Sequence, residues 1–132
     1  MESTINAMLA PAIDVIASNS HIKKGNKIDG IYESYLSQFG PMVIQLLLPS
    51  TFAVYCNKEK KGEGDRSQII RMIFEVINKY QPAYFGNSTM YDEWIKKIMK
   101  NENDIATINE QIILDASVAL KRAVRTFELE KK

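Results

Sequence analysis

The stretch from Gly40 to Lys58 constrains this chain more than any other part of it. It reads Gly-Pro-Met-Val-Ile-Gln-Leu-Leu-Leu-Pro-Ser-Thr-Phe-Ala-Val-Tyr-Cys-Asn-Lys and is apolar on nearly every face. A helix that is apolar all round must be wrapped by other elements or by lipid. Pro41, Pro49, Gln45, Ser50 and Thr51 leave this stretch short of the roughly 20 apolar residues that span a bilayer. The expected architecture is therefore an all-α, compact bundle of five to six helices packed around a central apolar helix, Pro41–Lys58.

A chain of 132 residues makes one domain, 1–132, by its length, and that is enough to bury a core. Apolar residues form 45% and charged residues 25%, an ordinary globular balance. The net charge of +1 gives no global field toward nucleic acid or membrane, so any such contact must come from a local patch. The single cysteine, Cys56, cannot form an internal disulfide and suits a reducing, cytoplasmic setting. No basic start and continuous apolar run marks a signal peptide.

The remaining helices follow from spacing. Ser3 or Thr4 can cap a helix over Ile5–Ala17, with Pro11 inside it. Residues 18–27 read as a loop. A second helix over Ile28–Phe39 carries Tyr32, Tyr35, Leu36 and Phe39 on one stripe and is expected to break at Gly40-Pro41. Glu59–Asp65 is a charged, glycine-containing loop, and Asp65 can cap a helix over Arg66–Tyr80. Ser88 caps a helix over Thr89–Met99, and Asp104 caps the last, Ile105–Leu129. No segment alternates cleanly enough to read as a strand.

Chemistry-bearing motifs are few. One histidine, His21, and one cysteine, far apart in sequence, leave little from which to assemble zinc, Cys–His or Ser–His–Asp sites. No arginine stands a few residues before His21. Gly62-x-Gly64 lacks the Gly-Lys-Ser/Thr of a phosphate loop. The calcium-like Asn101-x-Asn103 has Ala106 and Ile112 where such a loop needs glycine and glutamate. The expectation is no catalytic residue, no metal and no cofactor. Three basic groups remain: Lys23, Lys24 and Lys27; Lys58, Lys60, Lys61 and Arg66; and Lys121, Arg122 and Arg125. The spacing of the last group sets neighbouring cations on one helix surface. Alone, each group reads as a solvated face; together on one small domain they read as a phosphate-binding surface.

One resemblance adds to this. Tyr32-x-Ser34-Tyr35, then Phe39-Gly40-Pro41, then an apolar helix ending Ala53-Val54-Tyr55 before Lys58, resembles the small helical subunit of the type III-B CRISPR RNA-guided effector, the Cmr complex. Trp94-Ile95, Asp115-Ala116, Ala119-Leu120 and Arg125 resemble its later positions. Within the central helix that family often carries Asn-Gly-Leu, where this chain has Leu47-Leu48-Pro49. The resemblance implies a non-catalytic subunit in antiviral defence. It implies several copies associating head-to-tail beside the other effector subunits, which contact guide and target RNA through the backbone. Lys121, Arg122 and Arg125, with Lys23, Lys24 and Lys27, are the expected RNA-facing set. The alternative is a helical protein–protein adaptor without nucleic acid, suggested by Tyr80, Tyr84 and Phe85. Neither reading involves a membrane.

Overall fold

The computed structural model describes residues 2–57, 64–84, 90–101 and 105–130, with side chains in the last stretch from Asn109 to Phe127. In chain order the elements are α1 (Glu2–Ser18), β1 (Lys23–Lys24), β2 (Lys27–Asp29), α2 (Gly30–Tyr55), α3 (Ser67–Tyr80), α4 (Tyr91–Lys100), α5 (Ile105–Val124) and β3 (Glu128–Glu130). The fold is an all-α bundle with one small sheet at its side.

The break within α2 determines the rest. The helix passes through Gly40-Pro41 and is interrupted instead at Leu47, with φ 65° and ψ 167°. A proline within a helix removes one ladder bond. Pro41 lies on the exposed side, where water can take the carbonyl that loses its partner. Pro49 differs because it restarts the helix as an early helical residue, where no N–H is needed. Buried Leu48 before it is biased away from the helical region. Thr51 Oγ1 donates to the Leu47 carbonyl at 2.8 Å and fixes the turn.

The consequence is a reversal of the chain. A straight helix of 20 residues would span about 30 Å. Yet the Tyr55 hydroxyl donates to the Tyr35 carbonyl, 20 residues earlier, at 2.6 Å. Burial pushes the Tyr55 phenol up to about 12, so it stays a donor at every physiological pH. Phe39 packs edge-on against Tyr55 at 5.4 Å and tilted against Phe52 at 6.4 Å. The two arms of α2, residues 30–46 and 48–55, thus form a helical hairpin zipped by aromatic rings. Phe52 continues to Trp94 of α4 at 5.3 Å, and Trp94 to Phe74 of α3 at 5.4 Å. One aromatic chain joins three helices, and each such ring buries enough surface to contribute about 1.5–3 kcal/mol.

Helix α5 packs against each of the other four helices. Its buried residues include the small Ala116, Ser117, Ala119 and Ala123, where neighbours can approach closely. The Pro41–Tyr55 stretch is therefore not wrapped on every face. Its tip projects from the bundle, and Ile44, Leu46 and Leu47 are 76%, 44% and 63% exposed. Lys58 lies outside the described residues.

Two further expectations are corrected. Residues 23–29 form a hairpin rather than an open loop, and α5 ends at Val124 rather than at Leu129. Gly25, with φ 64°, takes the first position of a two-residue turn that needs this sign. Ile22 and Ile28 face inward and are buried. Antiparallel β1 and β2 are joined by β3, parallel to β2, with Lys27, Ile28 and Asp29 opposite Glu128, Leu129 and Glu130. Strands of two or three residues are too short to show alternation in a sequence.

Several caps are visible. Asp29 accepts from the Ile31 N–H at 3.0 Å at the start of α2. Asp65 Oδ1 accepts from Ser67 N–H at 2.9 Å and Ser67 Oγ at 2.6 Å before α3, as expected of it. Asn101 ends α4 in the left-handed region with φ 51°. Ser3 and Thr4 lie within α1, which starts at Glu2. The caps expected at Ser88 and Asp104 lie outside the described residues.

Leu47 occupies a backbone region that suits only glycine, at a cost of about 1–3 kcal/mol. Leu47→Gly should stabilise the protein by about 1 kcal/mol in urea unfolding, once the extra unfolded-state freedom of glycine is subtracted. Leu47→Ala keeps the strain and should give no such gain.

Candidate nucleic-acid interface

The small sheet decides where the cations lie. β3 follows α5 directly and pairs with β2, so Lys27 stands opposite Glu128, three residues past Arg125. The pairing sets Lys27 beside the segment that follows Arg125, while Arg122 reaches the start of α1 and Lys23 follows the other end of that helix. Lys24 and Lys27 are exposed, Lys23 and Lys121 half-buried, and Arg122 and Arg125 exposed. Lys23, Lys24 and Lys121 carry no ion pair among the described residues.

Both arginines carry carboxylate partners. Arg122 donates through both terminal nitrogens to Glu2, at 3.0 and 2.9 Å, and ties the start of α1 to the end of α5. Arg125 Nε lies 3.4 Å from Glu33 Oε2, in the first turn of α2. Asp115 is not their partner; it is buried and accepts from Gln111 at 2.8 Å. The side chains of Glu128 and Glu130 lie outside the described residues. Exposed pairs of this kind are weak and open to exchange for another anion. The paired guanidinium holds the Glu2 carboxyl below its ordinary range, by hydrogen bonding first and charge second. The same bond raises Arg122.

Helix α4 adds cations that sequence reading passed over. Lys96, Lys97 and Lys100 are all exposed, while Trp94 and Ile98 turn inward. The signal was available, since Lys96 and Lys100 are one turn apart opposite the Trp94–Ile98 face. Arg66 is not free for phosphate in the same way, because its guanidinium sits 4.5 Å over the Tyr35 ring. Lys58, Lys60 and Lys61 lie outside the described residues.

The remaining chemistry is sparse. His21 is exposed, and its backbone N–H donates to Asn19 Oδ1 at 2.9 Å. Among the described residues no three His, Cys, Asp or Glu side chains group as a metal site. No helix among them is long and apolar enough to cross a membrane. Of the aromatic residues expected as adaptor contacts, Tyr80 and Tyr84 are half-buried, and Phe85 lies outside the described residues. The exposed apolar surface is instead Ile44, Leu46 and Leu47, with Met90 elsewhere. No residue from Ser34 to Asn57 bears a charge, so the α2 tip is neutral as well as apolar. No family model matches this chain, and neither does any curated protein or solved structure.

The Glu2–Arg122 pair yields a pH prediction. A carboxyl held low in the folded state adds stability above its unfolded range, and that addition is lost as pH falls through the lowered value. The Tm difference between wild type and Glu2→Gln should be largest near neutral pH, vanish at strongly acid pH, and shrink in high salt. Thermal melts across that range check it.

Proposed function

We propose that this chain is a non-catalytic RNA-contacting subunit of a type III-B CRISPR effector, holding guide and target strands through their backbones. The observation that carries the reading is the junction at β2 and β3, which joins the Lys23–Lys27 hairpin to the segment following Arg125 in a near-neutral domain. In RNA-guided complexes base pairing reads sequence, and protein contacts read backbone and shape. A surface of a few cations suits that division of work.

The break in α2 falls on a departure from the resembled family. The break in α2 begins at Leu47, the first residue of the Leu47-Leu48-Pro49 stretch that stands where the resembled family carries Asn-Gly-Leu. Asparagine and glycine tolerate positive φ far better than leucine does.

The cations are diluted by Glu2, Glu33 and Asp29, so each copy binds weakly. Repetition along an assembly raises total affinity without new contacts. The neutral tip at Ile44, Leu46 and Leu47 favours a contact with another protein surface, and it is the observation on which the adaptor alternative also stands. In the effector reading that tip meets a neighbouring subunit. In the adaptor reading it is the whole function.

Fluorescence anisotropy with a labelled single-stranded RNA in a salt series separates the two. The effector reading expects weak, sequence-independent binding whose log–log salt slope is roughly −2 if three phosphates are neutralised. The triple variants Lys23/Lys24/Lys27→Gln and Lys121/Arg122/Arg125→Gln should each lower affinity and flatten that slope. No binding at low salt, with wild type and variants alike, leaves the adaptor reading.

A further inference from the structure

Between α3 and α4 lies a groove of about 660 Å³. That volume falls within the range of small-molecule sites, roughly 300–1,000 Å³. Its wall is an aromatic-backed cation. The Arg71 guanidinium sits 4.2 Å above the Tyr91 ring, and Phe74 braces that ring edge-on at 5.5 Å. Arg71 is exposed, so the guanidinium presents a second flat face outward.

The polar groups of the groove are not used up by the fold. Gln68 lines it and is only 8% exposed. Its Oε1 accepts from Asn19 Nδ2 at 3.1 Å, which fixes the amide and leaves its Nε2 donors without a partner among the described residues. Lys96 and Asp92 line the groove one turn apart on α4, both exposed and not ion-paired among the described residues. Asp65 differs, because its carboxylate is engaged by Ser67 at the start of α3.

We propose that the α3–α4 groove binds a nucleotide, its base stacked on the Arg71–Tyr91 pair and its phosphate at Lys96. A planar guanidinium over an aromatic ring is a stacking platform for any base. The fixed Gln68 amide supplies donors and Asp92 an acceptor for a base edge, which has both kinds of group. A bare phosphate fits poorly, since Asp92 opposes it. An acyl chain fits poorly, since Asp65, Arg71, Asp92 and Lys96 place charges along the lining. The nucleotide has two possible sources, a free mononucleotide or one unpaired residue of a strand. The groove shares no residue with the lysines and arginines at the sheet end, so either assignment can fail alone.

The test is an amide ¹H–¹⁵N titration of the full chain with nucleoside monophosphates, a short single-stranded oligoribonucleotide and inorganic phosphate. Saturable shifts confined to Ser67–Arg71 and Tyr91–Lys96 are expected with the nucleotides. Arg71→Lys keeps the charge and loses the plane; it should weaken binding about tenfold while leaving the rest of the spectrum unchanged. Tighter binding of the oligonucleotide than of the monophosphates assigns the site to a strand, and equal binding assigns it to a free nucleotide. Absence of saturable shifts overturns the proposal. So does an Arg71→Lys variant that binds as wild type does, or inorganic phosphate that reproduces the same shifts at the same concentration.

Discussion

The reversal of α2 at Leu47 is the constraint on which the rest of the structure depends. It brings Tyr55 back to Tyr35 and lays Phe39 between Phe52 and Tyr55. Without that turn the aromatic rings of the two arms would be spread along a rod, and Phe52 would not reach Trp94. The strain of a leucine at positive φ is small beside the burial of several aromatic side chains that the turn makes possible. Such strain persists because its surroundings over-determine it: Thr51 holds the Leu47 carbonyl, Leu48 is buried, and Pro49 restarts the helix.

The same turn sets the character of the surface. By sending Leu48 inward it sends Leu46 and Leu47 outward, and no charge from Ser34 to Asn57 softens the exposed tip. At the sheet end, charge rather than apolar surface dominates, but carboxylates interleave with the cations. The molecule thus presents one neutral, apolar projection and several modest basic patches elsewhere. That division suits a subunit held in place by protein contacts and touching a polyanion lightly, and it is the physical content of the proposed role.

The candidate surface was only half legible in the sequence. Lys121, Arg122 and Arg125 could be grouped because helical spacing relates them locally. Their partners could not be found that way. Arg122 meets Glu2 across the whole length of the chain, and Arg125 meets Glu33 across most of it. Nor could spacing reveal that the strand of Lys27 pairs with the segment following Arg125, because that pairing involves only three residues on each side. The Arg71–Tyr91 stack escaped for the same reason: its members belong to two helices.

The sequence by itself determined the helices, since the apolar spacing of α1, α3, α4 and α5 is a local property that each segment carries alone. It also determined the cap at Asp65, which depends on a side chain within two residues of the backbone it serves. Only the tertiary structure decided where α2 would break. Gly40-Pro41 and Leu48-Pro49 are both capable of interrupting a helix, and local chemistry favours the glycine. The choice fell to Leu47 because the aromatic contacts between the two arms need the turn several residues from both Phe39 and Phe52, which Gly40 beside Phe39 does not allow.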